Sequence, residues 1–160
     1  MPDLGFVDGL RFVLRSEGGL ADDPVDKGGP TNRGITQTTY SRWLGFHKLR
    51  DAPVSGIPPG DVEQVYFEFF WKAGGCDDLP SPLNVCHFDG CVQHGLGGAA
   101  PLLSAARWAA PNESPNREAF AYLCLRYSLY QRIAAKDPKQ VRFLLGWKNR
   151  LVALRLAVGL

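Results

Sequence analysis

The chain has 160 residues, 45% of them apolar and 21% charged, a composition that suits one globular domain and excludes a disordered chain. Its net charge of +2 hides an uneven distribution: residues 1–100 hold 8 Lys/Arg against 13 Asp/Glu, and residues 101–160 hold 10 against 3. A cationic C-terminal third points to a polyanionic partner, or simply to the solvated faces of two helices.

Near the N-terminus, Phe6, Leu10, Val13 and Leu14 fall at i, i+4, i+7 and i+8, one face of a helix. Glu17 lies at i+11, on the apolar stripe rather than on the solvent face. A carboxylate aimed inward must be paired, neutralised or turned toward a cleft. Burial of such a group also favours its protonated form, which a general acid near neutral pH requires. The plainer alternative is a helix-end glutamate that reaches solvent or pairs with Arg15 or Arg33. Asp3 and Asp8 interrupt the apolar stretch here and no basic segment precedes it, so no signal peptide is expected.

From Gly18 to Thr36 the chain is rich in Gly, Asp and Thr, with no apolar stripe that could form a core element before Ile35. Thr31–Thr36 can form a short β-ribbon, and a short helix is expected over Thr38–Leu44. A Gly/Pro-rich connector then runs to Gly60. Asp61 with Gln64 reads as a capping box opening a helix with Val62, Val65, Tyr66 and Phe69 inward. Five aromatics between Tyr66 and Trp71 exceed what one buried stripe uses, so some rings are expected to line a groove. Pro80 and Pro82 mark a break. The next helix spans Pro82–His94 and ends at Gly95, followed by Ala99–Ala109. Within it, His87, Cys91 and His94 share a face at i, i+4 and i+7, a spacing zinc could use. No fourth ligand is evident, and small thiols with a satisfied core histidine are the commoner case, so no metal or other cofactor is expected. The four cysteines have no CxxC spacing and are expected reduced.

Pro111–Pro115 is the predicted internal boundary. Beyond it, Ser114 caps a helix with Pro115 at its first position and a stripe of Phe120, Leu123, Tyr127, Tyr130 and Ala134. Asp137-Pro138-Lys139-Gln140 opens the last helix, with Val141, Leu144, Trp147 or Lys148, Leu151, Leu154 and Val158 inward. Together they make a helical hairpin. Residues 1–110 are thus read as one region and 111–160 as a hairpin packed onto it in the same compact domain. Residues 151–160 are too short to span a membrane and contain Arg155. No stable membrane insertion is expected.

Several motifs resemble glycoside hydrolase family 108, the muramidases of phage endolysins and of bacterial lysis or secretion-assisting proteins. They are Glu17-Gly18-Gly19, the run Asp23-Pro24-Val25-Asp26-Lys27-Gly28-Gly29-Pro30-Thr31, Gly34-Ile35-Thr36, Asp78-Leu79-Pro80, Phe88-Asp89-Gly90 and Phe143–Arg150. Asp22 stands where members carry asparagine, and the short loop at 112–116 replaces a usual Asp-Gly turn. The resemblance implies a mainly α, lysozyme-like fold with a loop or ribbon at the site. It implies cleavage of the β-1,4 bond between N-acetylmuramic acid and N-acetylglucosamine. Glycoside hydrolysis needs a protonated carboxyl at the leaving oxygen and a second group for the water or the developing cation. Glu17 suits the acid role, Asp26 the second carboxylate and Thr31 the positioning of water. Asp23, Thr36, Tyr66 and Asp89 are the residues expected to meet substrate. Asp23 also forms the turn before Pro24, and Thr36 can cap the following helix.

Rival readings are a lytic transglycosylase using Glu17 alone, a non-enzymatic wall-binding or secretion-assisting adaptor, and a nucleic-acid binder on the basic hairpin. The last ranks lowest, because the hairpin aromatics fall on core-spaced positions instead of alternating with the basic ones. The expected partner is therefore peptidoglycan, with no nucleic acid, and the expected state a monomer. The protein is expected to be made in the cytoplasm and to reach the wall by release or by export through another component.

Overall fold

The first helix, α1 (Phe6–Ser16), buries Gly9 and Val13 and half-buries Phe6, Leu10 and Leu14, the stripe read from the sequence. Asp8 in its first turn accepts from the Gly5 N–H, satisfying an orphan donor at the helix start. The computed structural model of the chain describes residues 5–17, 30–110 and 114–160. Strands β1 (Thr31–Asn32) and β2 (Ile35–Thr36) form the expected ribbon, and α2 (Gln37–Phe46) follows at once.

Helix α3 (Pro59–Tyr66) begins two residues before Asp61. Asp61 is no cap: its carboxylate accepts from Tyr40 Oη at 2.7 Å, which ties α2 to α3. The chain then widens into a π-helical turn over Phe67–Lys72. That turn drives Trp71 inward, where its Nε1 donates to Asp77 at 2.6 Å. Of the five rings, Phe67, Phe69 and Phe70 are half-buried, while Tyr66 and Trp71 join an internal cluster. Phe6, Tyr66 and Trp71 surround Phe88 at centroid separations of 5.8, 6.2 and 5.4 Å, all edge-on. Edge-to-face contacts of this kind add to the ~2–3 kcal/mol from burying each ring.

Phe88 belongs to α4 (Leu83–Ala109), around which the rest is wrapped. Every residue from Leu83 to Cys91 is buried, so this is a core helix enclosed on all sides. Gly90 lets α5 (Pro115–Lys136) approach, because a Cβ there would strike the ring and hydroxyl of Tyr122. At Gly95 the backbone turns to φ 68°, ψ 167°, which divides α4 where the sequence reading ends it.

Helices α5 and α6 (Val141–Ala157) form the hairpin, in which α5 packs on α4 and α6 packs on α5 and α1. Asp137 stops the turn between them by accepting from Lys139 N–H. Two stripe assignments change. Phe120 and Val141 are exposed, at 46% and 54%, whereas Ala119, Tyr122 and Arg126 are buried. The inner face of α5 is thus rotated by one position near its start. Among the described residues, no helix is long and apolar enough to cross a membrane.

Candidate active site

Glu17 caps α1 at its C-terminal end. Its N–H still bonds to the Val13 carbonyl at 2.9 Å, while its own backbone has turned extended. The side chain therefore leaves a rigid helix end and is 21% exposed. The carboxylate meets neither Arg15 nor Arg33 but Arg150 of α6, whose Nη1 donates to Oε1 at 2.8 Å. Gln93 of α4 donates to the same oxygen at 3.1 Å. Both bonds converge on Oε1, so among the described residues Oε2 is the oxygen left to face a ligand.

Arg150 is itself held. Its Nη2 and Nε donate to Asp89 Oδ1 at 2.7 and 3.1 Å, and its guanidinium lies 5.8 Å from the Phe12 ring. Asp89 is enclosed, with 1% of its side chain exposed. Its Oδ2 faces Arg126 Nη1 at 2.8 Å. Among the described residues neither of these two atoms has another partner, and the N–H does not point squarely at the oxygen, so the contact is an ion pair first. Arg126 also donates to His94 Nε2 at 3.3 Å and to Tyr130 Oη at 3.2 Å. Burial pushes the Asp89 carboxyl up, but the two guanidiniums outweigh it and hold the group below the usual carboxylate range. Burial, then the Arg126 charge, pushes His94 down to about 4, so its ring is a neutral acceptor.

Opposite Glu17 stands the ribbon tip. Arg33 and Gly34 both take positive φ, 51° and 78°, as a two-residue hairpin turn of the right twist requires. Asn32 pins the ribbon by donating to the carbonyls of Val54 and Ser55. Tyr66 Oη donates to the Arg33 carbonyl at 2.8 Å. A Cβ on Gly34 would lie 2.5 Å from Tyr66 Oη and 2.8 Å from Glu17 Cγ, so this glycine is wedged between the two. Burial, and then the Glu17 charge, raise the Tyr66 hydroxyl well above its ordinary range and keep it a donor.

The sequence-predicted residues thus divide. Thr31 and Thr36 face each other across the ribbon register, and Thr36 Oγ1 accepts from Thr39 N–H as the cap of α2. Tyr66 and Asp89 lie in the interior. They bear on the site through the Arg33 carbonyl and through Arg150. Asp23 and Asp26 lie outside the described residues. His87 binds Tyr122 Oη and the Gly74 carbonyl, both at 3.2 Å, while His94 is occupied by Arg126. The histidines of the zinc-like spacing therefore serve two separate networks. The sequence reading did not single out Arg126 or Gln93, noted Arg150 only as the end of a motif, and read His94 only in the zinc-like spacing. A signal was present for two of them: Arg126 sits between Leu123 and Tyr130, and Arg150 between Trp147 and Leu154, each on an apolar stripe as Glu17 is.

Comparison with known proteins meets this geometry at the same residues. The family model described as Glycosyl hydrolase 108 matches residues 10–95, more than half of the chain and including Glu17, Asp89 and Gln93. This chain belongs to the glycosyl hydrolase 108 family. A second model, described as Predicted Peptidoglycan domain, matches residues 92–152, including Arg126 and Arg150. The chain is accordingly a glycoside hydrolase with peptidoglycan as its substrate. No curated protein matches it. Among solved structures it is similar to Brucella abortus SagA, at 24% identity and a TM-score of 0.78, covering 96% of this chain and 92% of that one. The likeness shows the lysozyme-like, mainly α fold. In this family member the segment matching the peptidoglycan model supplies the arginine that grips Glu17.

Proposed function

We propose that the protein is an N-acetylmuramidase that cleaves the β-1,4 bond between N-acetylmuramic acid and N-acetylglucosamine, with Glu17 as general acid. The observation that carries this reading is the seating of Glu17: a rigid helix end, two donors on Oε1, and a side chain lying against Gly34 of the ribbon tip. With Oε1 held as acceptor, the transferable proton sits on Oε2, where a leaving glycosidic oxygen can take it. Arg150 fixes the carboxyl plane, and Asp89 with Arg126 fixes Arg150. Asp26 is the second carboxylate, stabilising the oxocarbenium-like transition state or activating water, and Thr31 on the ribbon orients that water. The same reaction serves cell lysis or wall remodelling, once the protein reaches the wall by release or by export.

Product analysis tests the bond and the chemistry together. Purified peptidoglycan digested by the protein should yield fragments ending in reducing N-acetylmuramic acid by mass spectrometry. Anhydro-muramic ends would establish a lytic transglycosylase instead, and reducing N-acetylglucosamine ends would place the cut at the other glycosidic bond.

A further inference from the structure

The outer face of α6 carries an apolar stripe that the core does not use. Val141, Leu145, Val152 and Leu156 are 54%, 67%, 48% and 72% exposed. At ~100° per residue these four fall within about 60° of one another on the helix. Lys148 and Arg155 border the stripe on one side and Arg142 on the other. The helix from Val141 to Ala157 contains four basic residues and no Asp or Glu. On the Lys148 side the stripe opens into a groove of about 340 Å³ between α5 and α6, floored by Leu123, Tyr127 and Leu151. Its charged lining groups, Lys148 and Arg155, are both cationic. Arg155 also lies 5.3 Å from the ring of half-exposed Phe120, which carries the apolar surface on to α5.

From this juxtaposition we propose that the outer face of α6 is a docking surface for an anionic phospholipid bilayer, which the helix contacts in the plane of the interface. Aliphatic side chains flanked by basic ones match that boundary: the chains enter the acyl edge while Lys and Arg reach the phosphates. The charge pattern disfavours a second copy of the chain, which would set Arg142, Lys148 and Arg155 against themselves. Glycan strands are met by polar and aromatic groups, whereas the centre of this face is the aliphatic row Val141, Leu145, Val152 and Leu156. Arg150 leaves α6 about 150° from the centre of the stripe. A protein lying on the bilayer through this face would therefore hold Glu17 on the side away from the lipid, where a wall polymer would be. The inference is independent of which glycosidic bond is cut.

The test is co-sedimentation of the whole protein with vesicles of phosphatidylcholine alone and of phosphatidylcholine mixed with phosphatidylglycerol. The protein should pellet with the anionic vesicles, and release should follow rising salt. Leu145→Ser with Leu156→Ser should lower the partition coefficient at least about tenfold, since both side chains give up buried apolar area. Arg142→Gln with Lys148→Gln should lower it similarly and flatten the salt dependence. All four positions are exposed, so melting temperature and hydrolysis of soluble wall fragments should stay at wild-type values. Failure of the wild-type protein to pellet, or a serine variant that pellets like wild type, would overturn the proposal. So would a serine variant that loses binding to lipid-free sacculi, which would make this a wall-binding face, or a wild-type dimer that the serine changes render monomeric.

Discussion

Asp89→Asn is the sharpest perturbation of the charge network. The change is isosteric, so it opens no cavity, yet among the described residues it removes the one carboxylate paired with Arg126, whose side chain is fully buried. Arg126 would then be left with His94 and Tyr130, two neutral acceptors. Removing one partner of a buried ion pair costs about 3–5 kcal/mol, most of it the burden of the stranded charge. For a domain of this size each kcal/mol moves the melting temperature by about 2–4 °C, so a drop of roughly 6–20 °C is expected. Asp89→Asn with Arg126→Met removes the stranded charge as well and should recover part of that drop. Arg150 also loses its anchor, so Glu17 loses its fixed plane. A misplacement of about 1 Å can cost ~10²-fold in rate, and kcat should fall with KM little changed. Circular dichroism melts at neutral pH with turnover on soluble wall fragments measure both effects. A melting temperature within about 2 °C of wild type would refute the reasoning, because it would mean the buried guanidinium needs no counter-charge.

Gly34→Ala should cut activity at least about tenfold and lower stability by about 1–2 kcal/mol, since the new methyl meets Tyr66 Oη and Glu17 at a positive φ; wild-type turnover would show the ribbon tip to be pliable. Folded His94 takes up a proton only near pH 4, whereas in the unfolded chain it does so below ~6.5. Between those values the unfolded state binds more protons, so stability should fall as pH drops from 7 to 5. His94→Gln, which keeps an acceptor for Arg126, should flatten that fall in a series of melts. Asp26→Asn and Thr31→Ala should each reduce lysis strongly, and Asp23→Asn mildly; a larger loss for Asp23→Asn would move the second carboxylate to that position.

The stripe that sets Glu17 on α1 is local and periodic, so it is legible in the amino-acid order alone, as are the ribbon, the break at Gly95 and the hairpin. What grips Glu17 is not legible there. Arg150 lies 133 residues away, and no periodicity joins two positions brought together only by the packing of α6 against α5 and α1. Arg126 shows why composition misleads here: a guanidinium on an apolar stripe reads as a solvated interruption until Asp89 is found opposite it. Asp89 enters the sequence reading through the Phe88-Asp89-Gly90 motif, which does not reveal that Arg126 and Arg150 are its partners. Asp61 satisfies the spacing of a capping box, but Tyr40 offers a better donor than the helix N-terminus.

The central claim is that Glu17 delivers the proton. Its most direct test is the rate at which Glu17→Gln clears a suspension of purified peptidoglycan, alongside its melting temperature. The amide keeps an oxygen for Arg150 and gives up only a part-exposed ion pair. The melting temperature should therefore hold or fall by a few degrees, where a lone buried charge would predict a gain. Clearance should fall by ~10²-fold or more, the usual share of general acid catalysis. A folded Glu17→Gln protein that retains more than half of the wild-type rate would contradict the claim.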